Sequence, residues 1–180
     1  MKNKKIVLGV TGSIAAYKAC DILRRLQEKG CRVSVVMTKE AEKFVSSMTF
    51  ASLSGGKVYG NMFAAQGTSW SMQHITLAQE ADLVLIAPAT ANIIGKLAHG
   101  ISDDLLSCIA ITARAPILIA PAMNTEMYKN SIVQENIGKL KKHGFRFVDP
   151  IKGKLACGTN DIGHLAEVDD IVSAAIRSLK

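Results

Sequence analysis

The side chains of this sequence that could do chemistry sit where apolar runs stop. The run ILIA at residues 117–120 ends at Pro121, and the segment that follows, PAMNTEMY, releases Asn124 and Met127. Flanked by Pro116 and Pro121, such a run reads as a strand buried on both faces, so Asn124 falls in a loop at its carboxyl end. That edge of an open α/β sheet is where ligands bind, and an amide there is a candidate for recognition; the alternatives are a turn former or a helix cap. The run DLVLIA at residues 82–87 repeats the design and is followed by PATAN. Small side chains at Ala89 and Ala91 let a flat ligand approach the backbone, while Thr90 and Asn92 supply hydrogen bonds. A third stop, Gly12-Ser13, lies between the apolar run 5–11 and a helical pattern. A strand, a tight glycine turn and a helix start converge unpaired N–H groups on one point, which suits an anion. The spacing GVTGSI is not G-x-G-x-x-G, so a single phosphate fits better than a pyrophosphate. Thr38, at the end of the next apolar run, either adds a hydroxyl to that phosphate or caps the helix after it.

Two residues could move protons. His74 stands just before a short helix expected at about residues 75–79, where an isolated histidine is either an acid–base group or an ordinary cap. Cys157 lies between Ala156 and Gly158 in the glycine-rich stretch DPIKGKLACGTNDIGH. A thiol in a loop flanked by lysines is placed for reaction rather than packing, the alternative being an incidental exposed cysteine. Cys20, Cys31 and Cys108 are scattered without a C-x-x-C pair, which argues against a zinc site or a dithiol redox motif. Cys108, within the apolar pattern LLSCIAIT, reads as a small core residue.

The elements that must position these groups follow from periodicity. With 180 residues, 48% hydrophobic and only 5% aromatic, the chain is read as one domain, 1–180, with an aliphatic core of the kind found in sheets covered by helices. Helices are expected over 14–29 with Gly30 as stop, from 40–44 onward, through 97 with Gly100 as stop, over 103–113, over 125–143 with Gly144 as stop, and over 168–179. The helix over 103–113 is apolar enough to be buried against the sheet or another subunit. Strands are expected at 5–11, 31–37, 57–59, 82–87, 117–120 and 145–148, with surface loops at 60–70 and 149–164. Alternating strands and helices predict an α/β fold around a parallel sheet.

Lys and Arg number 22 against 15 Asp and Glu, a net charge of +7. The clusters at residues 2–5 and 139–142 read as solvated surface that also draws in small anions. They are not interleaved with stacking aromatics, and zinc-finger spacing is missing, which disfavours nucleic acid. No apolar run is long enough for a membrane span, and Gly12-Ser13 interrupts the opening run before a signal-peptide core develops. Scattered thiols complete the picture of a cytoplasmic protein.

Taken together, GSIAAYK at 12–18, QHITLA at 73–78, PATAN at 88–92, PAMNTEMY at 121–128 and LACG at 155–158 make the combination specific. Over nearly its whole length the chain resembles the flavin-containing cysteine decarboxylases, most closely the branch that serves coenzyme A biosynthesis. The resemblance implies a flavodoxin-like (Rossmann-like) three-layer fold in a homo-oligomer, a trimer or a dodecamer built of trimers, with FMN held where subunits meet. It implies decarboxylation of 4'-phosphopantothenoylcysteine to 4'-phosphopantetheine through thioaldehyde and enethiol intermediates. By the same resemblance Gly12, Ser13 and Ile14 with Thr38 hold the FMN phosphate, and Thr90, Ala91, Asn92 and Ala122 line the rest of the flavin. His74 is then the active-site histidine, Asn124 binds the substrate carboxylate, Met127 and Ala156 border the substrate, and Cys157 protonates the intermediate. No metal is implied. The chain departs from the family pattern at Ile93, where threonine is frequent, and at His164.

Relatives with other roles are set apart by particular features. Peptidyl-cysteine decarboxylases of lantibiotic maturation generally lack the cysteine of LACG. Flavin-binding regulatory relatives carry long acidic extensions, and makers of prenylated flavin need a basic polyprenyl-phosphate pocket that the sequence does not display. Bifunctional relatives continue into a synthetase domain, so the chain is expected to be a free-standing decarboxylase or the first domain of a longer one.

Overall fold

Alternate burial along the strands sorts the chain into three layers. In the computed structural model, which describes residues 3–62, 73–154 and 160–179, the first strand β1 (Lys5–Val10) turns Ile6, Leu8 and Val10 to one face and Val7 to the other. Strand β4 (Leu83–Ala89) is buried at every position, with Leu83, Leu85 and Ala87 on the first face and Val84, Ile86 and Ala89 on the second. Strand β5 (Ile117–Pro121) splits in the same way. A strand apolar on both sides must be covered on both sides, and the helices divide accordingly. Helices α1 (Lys18–Glu28) and α8 (Val168–Ser178) put Ile22, Leu23, Leu26, Ile171 and Ala175 against the first face. Helices α4 (Ala91–His99), α5 (Leu105–Thr112) and α7 (Ser131–Lys142) put Ile93, Leu97, Leu106, Ile109, Ile137 and Leu140 against the second.

The remaining sheet strands are β2 (Arg32–Met37), β3 (Val58–Tyr59) and β6 (Arg146–Phe147), and the six lie in the order β3-β2-β1-β4-β5-β6. Every pairing is parallel. Without the two-residue β3 this is the five-strand flavodoxin order, and with it the six-strand Rossmann order. The expected α/β fold with a central parallel sheet is present. The order reverses between β1 and β4, so a crevice opens between their carboxyl ends.

Several local expectations are corrected. A helix α2 (Ser47–Ser54), capped by Ser46 and closed by Gly55, occupies a stretch whose Ser, Thr and Gly content reads as loop. It is held by the burial of Phe50 rather than by amphipathic patterning. The helix expected from 40–44 is one 3₁₀ turn, Ala41–Lys43. Another, Ile14–Tyr17, precedes α1. The helix expected over 125–143 is two, α6 (Thr125–Lys129) and α7, because the Asn130 side chain accepts from the Ile132 N–H at 3.0 Å and starts a new helix. The loop expected at 149–164 contains an antiparallel pair, β7 (Ile151–Lys154) and β8 (Asn160–His164). Helix α3 (Gln73–Glu80) begins before its expected start, taking in His74. Cys108 is half-buried, its thiol 3.2 Å from the Ser102 carbonyl oxygen, rather than a core residue.

Leu85, in the middle of β4, is fully buried. Leu85→Ala is expected to cost the apoprotein about 2–5 kcal/mol in urea unfolding, the range for an aliphatic side chain deleted where neighbours collapse incompletely.

Candidate active site

The switch point between β1 and β4 is closed by one buried hydroxyl. Thr11 is 1% exposed, and its Oγ1 donates to the Pro88 carbonyl at 2.7 Å while accepting from the Thr90 N–H at 3.0 Å. Its own N–H donates to the same Pro88 carbonyl at 3.3 Å. The loop after β1 and the loop after β4 are therefore bound to each other before any ligand arrives. Sequence reading took Thr11 for a strand residue and missed this role; a polar residue ending an apolar run beside Gly12 was the available signal.

From that link the neighbouring groups follow. Ser13 caps the 3₁₀ turn by accepting from the Ala15 N–H at 3.3 Å, leaving Ile14 exposed. Thr38 accepts from the Ala41 N–H at 3.3 Å, so its hydroxyl caps the turn after β2 and keeps its own proton for another acceptor. Thr90 caps α4. A Cβ built on Gly12 would lie 2.4 Å from the Glu40 Cβ, so the turn after β2 packs on the turn after β1 only because position 12 is glycine.

These loops enclose a cavity of about 350 Å³ lined by Thr11, Gly12, Thr38, Glu40, Thr90, Asn92, Ile93, Asp104 and Met127. It unites expected residues from the ends of β1, β2 and β4 with Met127 of α6, and includes Ile93, one of the positions that depart from the resemblance. Ser13, Ile14 and Ala91 are chain neighbours of the lining. Ala122 is buried at the end of β5, its N–H given to the Ala89 carbonyl at 3.0 Å. Asn124 is exposed and caps α6 by accepting from the Glu126 N–H at 2.8 Å. The cap reading of Asn124 thus holds, and Nδ2 is the donor its amide presents. His74 is half-buried near the start of α3 and does not line the cavity. Ala156 and Cys157 lie outside the described residues.

Glu40 and Asp104 were not foreseen, and among the described residues lining the cavity none is cationic. Asp104 caps α5 through the Ser107 N–H at 2.8 Å and meets Lys96 at 2.7 Å, while Lys96 also meets Asp103 at 2.7 Å. Burial opposes ionisation of Asp104, but Lys96 and the Ser107 hydrogen bonds outweigh it and hold the carboxyl below its ordinary range. A larger groove of about 520 Å³, lined by Arg114, Lys139 and His143 among others, lies at the opposite, amino-terminal edge of the sheet and contains none of the expected site residues.

The sequence profile of the Flavoprotein family matches residues 1–180. The chain belongs to that family. Among relatives of this flavoprotein, the coenzyme A biosynthesis bifunctional protein CoaBC of Bacillus subtilis (strain 168) is 46% identical over 97% of this chain, which spans only 43% of that relative. A probable phosphopantothenoylcysteine decarboxylase of Streptococcus mutans is 44% identical over 94% of this chain and 96% of its own length. Among solved structures, a cysteine-to-serine mutant of PPC decarboxylase complexed with pantothenoylaminoethenethiol superposes with TM-score 0.85 at 30% identity, covering 98% of this chain and 97% of its own. The FMN-dependent cysteine decarboxylase SpaF does so with TM-score 0.84 at 29% identity, covering 98% of each.

Two outcomes are expected of this geometry. Thr11→Val keeps the shape but strands the Thr90 N–H and leaves the Pro88 carbonyl only its longer bond from the Thr11 N–H, and should cost about 1–3 kcal/mol in denaturant unfolding, with Thr11→Ser restoring most of it. Asp104→Asn keeps the cap and removes the charge. Because the Asp104 pKa is depressed in the folded state, its contribution is present above the unfolded carboxylate pKa and is lost as pH falls through the folded one. The variant should therefore be less stable than the parent by about 1 kcal/mol at neutral pH, the difference closing below about pH 4.

Proposed function

We propose that this protein is an FMN-dependent decarboxylase that converts 4'-phosphopantothenoylcysteine to 4'-phosphopantetheine in coenzyme A biosynthesis. The observation that carries the reading is the cavity at the switch point, where Gly12, Thr38, Thr90, Asn92 and Met127, far apart in sequence, meet at the carboxyl edge of the sheet. Its lining fits FMN: two turns brought close together because position 12 is glycine, hydroxyls at Thr38 and Thr90, and an amide at Asn92. A phosphate held there would rely on neutral donors from Gly12, Ser13, Ile14 and Thr38. Thr90, Ala91, Asn92 and Ala122 would line the remainder of the flavin. The flavoprotein family membership and the FMN-dependent SpaF neighbour support the same cofactor.

Each remaining group answers a need of the chemistry. A cysteinyl carboxylate has no electron sink for the pair left when CO₂ departs. Bound FMN would supply one by taking a hydride from the CH₂–SH carbon, leaving a thioaldehyde, and would return the hydride later, so that no outside reductant is consumed. His74 is assigned the thiol proton released in that oxidation. Asn124 would hold the carboxylate through its amide, which orients the group without the ground-state stabilisation that a full ion pair would add. As CO₂ leaves, its bonding pair passes into the C=S group and gives an enethiolate. Cys157 would then donate its Sγ proton to the carbon that lost CO₂, return of the hydride to the C=S carbon would leave a CH₂–S⁻ group that takes back the thiol proton held at His74, and solvent would restore the Cys157 thiol. Met127 and Ala156 would border the substrate.

The site is further read as completed by other copies of the chain, in a trimer or a dodecamer of trimers. Ile14 and Tyr17 are 58% and 60% exposed close after Gly12, and Met127 is 47% exposed. Apolar surface beside a ligand site is what a subunit contact covers. A cytoplasmic location follows from the biosynthetic role. Among the described residues no helix is long and apolar enough to cross a membrane, and no cluster of metal ligands is found.

The purified protein is expected to be yellow with a flavin spectrum and to release one CO₂ per phosphopantetheine formed. An FMN-loaded oligomer that releases none would overturn the reading. Asn124→Asp retains the helix cap but sets a charge against the substrate carboxylate; it should keep the flavin colour and lose kcat/KM by about a hundredfold, roughly 2.7 kcal/mol.

A further inference from the structure

The groove of about 520 Å³ at the amino-terminal edge of the sheet has the make-up of a ligand site of its own. Its floor is apolar: Leu97 of α4, Ala110 of α5, Ile117 at the start of β5 and Leu140 of α7 are no more than 7% exposed, and Phe145 is half-buried beside them. A concavity of that size, apolar with a few polar groups at its edge, is the usual form of a small-molecule pocket. The polar side chains here are Arg114, Lys139 and His143, all exposed, and the described lining includes no carboxylate. Elsewhere on the chain cations are matched by acids: Lys4 by Asp82, Lys5 by Glu80, Lys96 by Asp103 and Asp104, and Lys141 by Asp149. Arg114, Lys139 and His143 meet no carboxylate among the described residues. Helices α5 and α7 end beside the groove, and their carbonyl ends favour cations nearby. That preference is met by a cation anywhere around a helix end and does not account for an open apolar floor between them.

We infer that this groove is a second binding site, for a small organic anion whose carboxylate or phosphate head is held by Arg114 and Lys139 and whose apolar body lies over Leu97, Ala110, Ile117 and Phe145. The arginine fork offers two parallel N–H groups to two oxygens of such a head, and the lysine adds a movable point charge. The floor supplies the rest of the affinity by taking apolar surface out of water. The site is distinct from the cavity at the switch point, since no described residue lines both. Helix α4 runs from Asn92 and Ile93 at that cavity to Leu97 and Ala98 at the groove, and α5 runs from its cap Asp104 to Ala110 and Ile111. The inference goes beyond the decarboxylase reading and stands without it.

The test is isothermal titration of the purified protein, with and without saturating FMN, using 4-phenylbutyrate and its uncharged counterpart 4-phenylbutanol. The acid should bind saturably whether or not FMN is present, and the alcohol about tenfold more weakly. Arg114→Gln and Lys139→Gln, both at exposed positions where folding is not at stake, should each weaken the acid about fivefold and leave the alcohol unchanged. Lys141→Gln, a change to a neighbouring cation already paired with Asp149 and outside the lining, should leave both affinities as in the parent. Equal binding of acid and alcohol overturns the inference, as does parental affinity for the acid in both Arg114→Gln and Lys139→Gln, or an equal loss in Lys141→Gln. Displacement of the acid by FMN would place it in the switch-point cavity and overturns the inference too. So does a parent that binds no acid at millimolar concentration, the result expected if a second copy of the chain covers the groove.

Discussion

The Thr11 hydroxyl is the interaction on which the geometry of the site depends. In a doubly wound sheet the helices after β1 and β4 leave toward opposite faces, which opens a crevice and also separates the loops that must line it. The β1–β4 ladder ends at Gly9 and Ile86, and beyond it the backbone adds a long bond from the Thr11 N–H to the Pro88 carbonyl at 3.3 Å. One side chain that both donates and accepts takes over where the ladder stops, binding Pro88 and Thr90. The bond to Pro88 is buried and the bond from Thr90 partly so, and a lost partner there leaves an unsatisfied polar group. The placement of Thr90 and Asn92 relative to Gly12 is inherited from that residue.

Much of this was legible in the sequence, for a physical reason. Strands buried on both faces have no polar alternation, and the runs at 82–87 and 117–120 stand out because proline ends each of them. Glycine stops at Gly30, Gly100 and Gly144 were equally legible, and all adopt positive φ. What was not legible depended on partners distant in the chain. Helix α2 exists because Phe50 finds the core, not because its own pattern is amphipathic. The split at Asn130 is decided by whether an asparagine caps or continues a helix, a choice made by the packing of α7. The pairing of β7 with β8 follows from docking onto residues 123–129, which periodicity cannot show in so short and glycine-rich a stretch.

The charges of the site follow the same division. The chain carries +7 overall, yet the described cavity wall holds Glu40 and Asp104 and no cation. Surface lysines act at long range, raising the local concentration of an anion such as a phosphorylated substrate. Inside the cavity, neutral donors take over. Lys96 is drawn to two aspartates, and although burial disfavours its charge, their hydrogen bonds raise its pKa. It is thereby spent on joining α4 to α5 and is not a counter-ion for a ligand. A family reading based on motifs alone foresees the hydroxyls and amides but not these carboxylates, because Asp104 acts through the fold of α5 rather than through a motif at a strand end.

The two halves of the site are also built to different stiffness. The cradle between β1, β2 and β4 rests on strands packed on both faces and on the buried Thr11 bridge, so moving one wall disturbs the core. The side that carries Asn124 and Met127 rests on a helix of five residues and a separate hairpin, joined by a few hydrogen bonds and a surface ion pair. Local stability scales with buried apolar contact, so this side opens at lower cost than the cradle. In the proposed reaction, a flavin that stays bound through an oxidation and a reduction would use the stiff side. A substrate that enters, loses CO₂ and leaves would use the other, which is held by fewer buried contacts.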